Sequence, residues 1–523
     1  EGNRIYGDGV NIAARLESLA DGGGICLSGS AYDQIENKLA LGYYFIGEHS
    51  VKNIVKPVRV YKVPIDKEGS SKIIIGAKRK YSKLTFLLKI AATITVIIAG
   101  IFGGLYWKYL YLPSPENIYS KNKMTFDLPK GPSIAVLPFD NMTGDSNQEF
   151  LCDGVTDTII SALSQTPKLF VIARHSSFSY KGKQTPIQQI GRELNTEYVI
   201  EGSVQKSGER IRITVQLIDT RSENHLWSER YDRELKNIFK LQDEIALDIF
   251  KALQIKLGSG EPFRTRFEGI DDLQIVIKLL KAIDYVYRLN IEADTLARKE
   301  VWEIITVNPN ISVAYSLLAA TYLQDLLYGA CKSNIICFAK ATEATRNALS
   351  LDETNSDAHL AAGLLFSIRK DKANAIASLK RCITLNPNNA DGYSILGFEF
   401  AMCGEADRGL KFVKKAFLLN PIPRAIYYVH LGTCYREVKK CDKAIGAYTK
   451  SIQLEPHNVT AHVGLVATYV YCGQENKARE LGLEIMELNP NFSVEKYCKV
   501  APYKTQAQLN RFKGALLKAG LPG

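Results

Sequence analysis

The sequence predicts a multidomain chain: a short α/β segment, one transmembrane helix, a second α/β domain and an all-α solenoid. Three observations predict it. Pro387, Pro421, Pro456 and Pro490 recur at intervals of 34 or 35 residues, the mark of a stacked repeat. Leu84 to Trp107 is a run of 24 residues, apolar apart from Lys89 and a few threonines. Between that run and the repeats, residues 130–257 alternate strand-like and helical stretches. A length of 523 residues leaves room for several domains. The hydrophobic content of 46% and charged content of 23% are those of globular material. The net charge of +11 is modest at this length and no basic–aromatic motif accompanies it, so no nucleic-acid partner is expected.

Residues 1–65 read as the end of an α/β domain. Tyr6-Gly7-Asp8-Gly9 is turn chemistry, because glycine accepts backbone angles that other residues resist. A helical pattern follows over Val10–Leu19. Asn11 and Arg15 are four apart and share one face of it. An amide beside a guanidinium is a donor-rich pair, suited to a sugar and to a phosphate whose charge grows during reaction. The bland alternative makes Asn11 a helix cap and Arg15 a solvated charge. Gly24–Ser28 reads as a short strand and Ser30–Lys38 as a helix capped by Ser30. Tyr43–Ile46 and Val58–Val63 are strand-like.

The stretch from Tyr6 to Glu17 resembles the last active-site motif of the class III nucleotide cyclases, the adenylate and guanylate cyclases. The resemblance continues through Gly22–Ser30 and Tyr32-Asp33-Gln34, and ends at Gly47-Glu48, Val51-Lys52-Asn53 and Pro57–Tyr61. In that family the Asn position orients the ribose, and the Arg position stabilises the transition state as pyrophosphate leaves. By position these are Asn11 and Arg15. The resemblance implies conversion of a nucleoside triphosphate, with ATP expected, to the 3′,5′-cyclic nucleotide. It also implies Mg or Mn as cofactor and a homodimer in which one protomer supplies metal-binding aspartates and the other Asn and Arg. Arg4 stands at the base-reading position, where the family usually has Asp or Thr, which leaves ATP against GTP open. Lys52 and Lys56 lie near the family's phosphate-contacting lysine without falling on its pattern. The aspartates would precede Glu1. Phosphoryl chemistry needs the metal they hold, so this chain alone is expected to be inactive.

Residues 66–83 form a basic linker, with Lys72, Lys78, Arg79, Lys80 and Lys83 before the apolar run at 84–107. That run suits one membrane span of about 20 residues. Tyr106, Trp107, Tyr109 and Tyr111 form an aromatic belt at its far end. Positive charge on the near side predicts an inner-membrane, single-pass protein. Residues 1–83 would then be cytoplasmic and the C-terminal region periplasmic. A buried core helix is the alternative. Residues 113–128 are a second linker.

In 130–257, Ser133–Phe139 reads as a buried strand, Phe150–Leu163 as a helix, Phe170–Ala173 as a strand and Pro186–Leu194 as a helix. Tyr198–Lys206, Arg210–Asp219 and His225–Tyr231 alternate like an antiparallel meander, the first two joined at Ser207-Gly208. Leu235–Leu257 is helical. The stretches Ile134–Phe139, Gly154–Asp157, Val199–Val204 and Leu226–Tyr231 resemble TolB-like domains, which implies a binding or scaffold role. Asp140, Asp153, Asp157 and His175 are polar candidates for chemistry, but no nucleophile–base pair accompanies them.

From 278 to 490 the units repeat. Gly363, Gly397 and Gly432 fall at one place, with Val466 in the fourth unit. Phe366, Phe400, Tyr435 and Tyr469 fall at another, and Ala375, Gly409, Ala444 and Ala478 at a third. This is the tetratricopeptide pattern of two packed helices per unit, about six units in all, whose face usually takes a protein or peptide. Residues 491–523 would cap it. The ten cysteines contain no Cys-x-x-Cys and read mostly as small buried residues rather than metal ligands. Nine follow the apolar run, an odd number that argues against a fully paired disulfide framework. Two functional readings follow. One is a membrane-bound nucleotide cyclase regulated by its TolB-like and repeat regions. The other is a non-catalytic interaction scaffold with a relic cyclase segment.

Overall fold

The computed structural model describes residues 12–13, 16–20, 24–36, 38–39, 42–49 and 57–63, then 131–253, 267, 270 and 272–523. The chain divides into two units, Glu1–Lys123 and Met124–Gly523.

In the first unit, β1 (Ile25–Ser28), α1 (Gly29–Ile35), β2 (Tyr44–His49) and β3 (Val58–Val63) form an antiparallel sheet with one helix. β3 is central, in the order β1-β3-β2. Its Val60 is fully buried, and Tyr61 stacks on Tyr32 of α1 at 3.9 Å between ring centroids. Ser28, not Ser30, caps α1: its hydroxyl accepts from the Ala31 N–H. Ser28 keeps the extended backbone that a cap needs, while Ser30 already lies inside the helix.

The second unit opens with β4 (Ser133–Val136), β5 (Asp140–Asn141), α2 (Glu149–Leu163), β6 (Phe170–Val171), α3 (Arg174–Phe178) and α4 (Ile187–Leu194). It continues through β7 (Tyr198–Ser207), β8 (Arg210–Asp219), β9 (His225–Glu234) and α5 (Ile238–Ala252). The strand order is β6-β4-β7-β8-β9, with β5 also on β7. All of β4 is buried, as expected of a strand with parallel partners on both sides. β7 and β8 pair from Tyr198–Asp219 to Ser207–Arg210. Gly208, at φ 61°, supplies the positive φ that a two-residue hairpin turn requires.

Six helix pairs follow: α6 (Leu273–Tyr287) with α7 (Ile291–Val307), α8 (Ser312–Leu327) with α9 (Asn334–Leu351), and α10 (Ser356–Ile368) with α11 (Lys372–Leu385). After them come α12 (Ala390–Met402) with α13 (Ala406–Leu419), α14 (Ala425–Glu437) with α15 (Cys441–Leu454), and α16 (Val459–Tyr471) with α17 (Glu475–Leu488). Asparagines start several of these helices. Asn290, Asn355, Asn389 and Asn458 each accept a backbone N–H of the following turn. Small residues set the spacing: a Cβ on Gly397 would lie 2.6 Å from the Gly409 carbonyl, and one on Gly432 2.8 Å from Tyr448. Two short helices, α18 (Val494–Val500) and α19 (Gln506–Lys518), close the end. Phe492, Phe512 and Leu516 fill the core there.

Two expectations are corrected. The described fold is mostly a helical repeat with smaller sheet regions, not an assembly built around a membrane span. Among the described residues no helix is long and apolar enough to cross a membrane. The longest, α9, has 18 residues and carries Lys340, Glu343 and Arg346, whereas a span needs about 20 predominantly apolar ones. The run at 84–107 lies outside the described residues, as do the linkers at 66–83 and 113–128. The single-pass inner-membrane placement, with its cytoplasmic and periplasmic halves, therefore loses its structural basis.

Cysteine usage is mixed. Cys331 pairs with Cys337 and Cys441 with Cys472. Cys26, Cys152, Cys382, Cys403, Cys434 and Cys498 are free, and four of these six are buried.

Candidate functional site

Asn11 and Arg15, the expected catalytic pair, lie outside the described residues, as do Arg4, Lys52 and Lys56. The nearby Leu16 is buried at 4% exposure. The resembling stretch also supplies Asp33 and Arg59, which pair at 2.7 Å with both side chains about half exposed. Such a surface pair contributes little.

Two of the other polar candidates, Asp153 and Asp157, have structural employment. The Lys181 ammonium donates to both oxygens of Asp153, at 2.5 and 2.6 Å. Burial pushes the Asp153 carboxyl up, and Lys181 offsets only part of that. Asp157 faces Arg174 at 3.5 Å, and the Arg174 guanidinium lies over the rings of Phe178 and Tyr287, 3.7 and 4.2 Å from their centroids. Asp140 sits exposed on β5. None of the four joins a nucleophile or a second carboxylate in a reacting geometry.

What the structure does build is a seat between the α/β domain and the repeat, both within Met124–Gly523. The stretch from β6 into α3 runs against the loops between successive helix pairs. The Ala173 N–H donates to the Leu419 carbonyl at 2.7 Å. The Ser176 hydroxyl donates to Asn420 Oδ1 at 2.6 Å and accepts from the Ile422 N–H at 2.8 Å. The two Nδ2 hydrogens of Asn388, in the loop beside Pro387, are shared among the carbonyls of Ser164, Thr166 and Leu169, at 3.0–3.1 Å. Its Oδ1 accepts from the Val171 N–H at 3.2 Å. One side chain thus satisfies the polar backbone where α2 ends and β6 begins, groups that burial would otherwise leave without water.

Apolar packing continues across the same seat. Ala135, Leu137, Phe170, Ile172 and Val199 share a core with Leu410, Val413, Phe417 and Tyr427 of α13 and α14. At its rim, Arg424 and the Tyr427 hydroxyl both donate to Asp391 Oδ1, at 2.8 and 2.9 Å. Desolvation pushes Asp391 up, but the Arg424 charge, these donors and His175 bring it below its ordinary value. The arrangement holds two domains together; it contains no group poised to react. Sequence reasoning did not single out Asn388, Asn420 or the Asp391–Arg424 pair. The available signal was the density of amides in Asn386-Pro387-Asn388-Asn389, more than a turn needs.

Comparison with known proteins adds four findings. Residues 130–247 match the family model of the HilA/YgeH-like transcriptional regulator, second domain, where the TolB-like resemblance was expected. Residues 356–389 match the tetratricopeptide repeat, so the chain contains that repeat. A curated relative in Rhizobium meliloti (strain 1021), named "Putative adenylate cyclase 3", is 34% identical over 378 residues. That match covers 71% of this chain, which spans 56% of the relative's length. Solved structures similar to part of the chain include PilW, a type IV pilus biogenesis factor (18% identity, TM-score 0.31, 40% of this chain and 90% of that one). A MamA structure is 28% identical with a TM-score of 0.25, covering 31% of this chain and 92% of its own.

Proposed function

We propose that this chain belongs to a class III nucleotide cyclase, with residues 131–523 as its non-catalytic interaction region. Asn11 orients the ribose and Arg15 stabilises the charge that grows on the phosphates as pyrophosphate leaves. Mg or Mn would polarise the phosphates and activate the attacking ribose hydroxyl. The aspartates that hold the metal in the resembling family are not in this stretch. ATP is the proposed substrate and a homodimer through the cyclase segment the proposed assembly. A protein or peptide on the tetratricopeptide repeats is the proposed partner.

The observation that carries the reading is the relationship to the cyclase-named relative, combined with the motif around Asn11 and Arg15. A match covering 71% of the chain must take in much of the α/β domain and the first helix pairs wherever it begins. The relative therefore shares the interaction region and not merely a cyclase-like tail. The test is production of cyclic nucleotide from ATP and from GTP by the full-length protein with Mn²⁺, beside its Arg15→Ala variant. Output falling by about 10²-fold or more, as for loss of a transition-state donor, supports the reading. Equal output from both proteins removes Arg15 from catalysis. No output from either favours the scaffold reading.

A further inference from the structure

The turn between α8 and α9 gathers a donor set that neither the cyclase reading nor the seat uses. Asp325 stands in the last turn of α8, Cys331 in the loop and Cys337 in the first turn of α9. Gly329, at φ 68°, turns the loop. The Ala330 N–H donates back to the Asp325 carbonyl at 2.8 Å, and the Cys337 N–H donates to the Ser333 carbonyl at 3.1 Å. As a result a carboxylate oxygen of Asp325 and both sulfurs lie within 4.8 Å of one another.

The carboxylate is prepared in a particular way. Asp325 is 7% exposed. Its Oδ2 accepts from Arg298 Nη1 at 2.9 Å, which fixes the orientation of the group. Its Oδ1 is buried with no hydrogen-bond partner. A held oxygen beside an open one is the arrangement that orients a metal-binding carboxylate. On the neighbouring α7, Asp294 is 1% exposed and neither of its carboxyl oxygens has a partner. The two carboxyls together leave three buried oxygens without a hydrogen-bond partner, a polar surplus that a cation would satisfy.

We propose that Asp325, Cys331 and Cys337 form a site for a thiophilic divalent cation of the zinc class, filled when the Cys331–Cys337 bond is reduced and emptied when it re-forms. Two thiolates and one carboxylate are ligands that Zn²⁺ accepts, with water completing a tetrahedron. The two states exclude each other, because a sulfur in the disulfide is no thiolate. Reduction by two equivalents of a thiol breaks the S–S bond, delivers two electrons and two protons, and leaves the reductant as its own disulfide. Zn²⁺ then displaces the two thiol protons to solvent and bonds both sulfurs. Thiol–disulfide exchange with an oxidised dithiol re-forms the bond, returns two electrons to the oxidant and releases the ion.

The test uses the whole chain, reduced with a phosphine and titrated with Zn²⁺ against a chromophoric chelator. We expect one equivalent that the Cys331→Ser/Cys337→Ser variant loses and the Cys441→Ser/Cys472→Ser variant keeps. Asp325→Asn should weaken it by at least the roughly 10–100-fold that loss of an outer-shell partner costs, with unchanged circular dichroism. Co²⁺ in the reduced wild-type chain should give thiolate-to-cobalt charge-transfer absorbance that oxidation abolishes. This last readout does not depend on any variant folding. The proposal is overturned if the reduced chain binds Zn²⁺ no better than Cys331→Ser/Cys337→Ser does. Absence of the charge-transfer band overturns it equally.

Discussion

Asn388 shows how much one side chain can carry at the seat. It is 6% exposed and serves three carbonyls and one N–H of the α/β domain. Truncation would orphan these groups, each at a cost of about 1–3 kcal/mol when water cannot reach it, less whatever local relaxation recovers. Asn388→Ala is expected to lower stability by about 2–4 kcal/mol, seen as a lower urea midpoint. A change within about 0.5 kcal/mol, typical of a surface site, would mean that the loop relaxes and the seat is held by apolar contact alone. This role was not legible in the sequence, because the partners lie 217 to 224 residues away. His430 makes a second residue-scale prediction. It is 7% exposed, its Nδ1 lies 2.8 Å from the Ser394 hydroxyl, and burial pushes its imidazole down to about 4 from 6.5. The folded state thus binds the proton more weakly than the unfolded chain. The associated stability is complete above about pH 6.5 and is lost as pH falls through about 4. Urea unfolding should show a loss on the order of 3 kcal/mol over that window, and His430→Gln should flatten it. An equal slope in both proteins would remove His430 as its source.

Among the elements, the helix pairs were the most legible. The interval between prolines and the small residues Gly397 and Gly409 are local signals, and the structure uses both glycines to bring α12 and α13 together. A Cβ on Gly409 would collide with the Gly397 carbonyl. Because that atom is backbone, yielding means moving a helix, at about 1–3 kcal/mol. The gain in helix propensity from Gly to Ala is only about 1 kcal/mol. Gly409→Ala is therefore expected to destabilise by roughly 1–2 kcal/mol. Gly446→Ala, where an added Cβ meets nothing within 4 Å, should stabilise by up to about 1 kcal/mol. Thermal unfolding of the two variants checks both signs, and the same sign for both would refute this packing account. The hairpin at Ser207-Gly208 was readable for a similar reason: its turn chemistry is written in adjacent residues. The cap of α1 was misread by two positions, since Ser28 and Ser30 are chemically equivalent and only the backbone decides between them.

For the molecule as a whole, the sequence pattern reached the repeat and the meander β7-β8-β9 but not the rest of the sheet order or the way the two regions join. The apolar run at 84–107 met the length criterion for a span, yet composition alone cannot place a helix among its neighbours. The described helices offer no such span. The seat merges the α/β domain and the repeat helices around residues 388–427 into one core within Met124–Gly523. The candidate catalytic positions were legible only as a motif, and they lie outside the described residues. The most direct test of the central claim is therefore kinetic: kcat and KM for cyclic nucleotide formation by the full-length protein and its Arg15→Ala variant. The account predicts that kcat falls by about 10²-fold or more with KM little changed, as for a contact made only in the transition state. An unchanged kcat would contradict it.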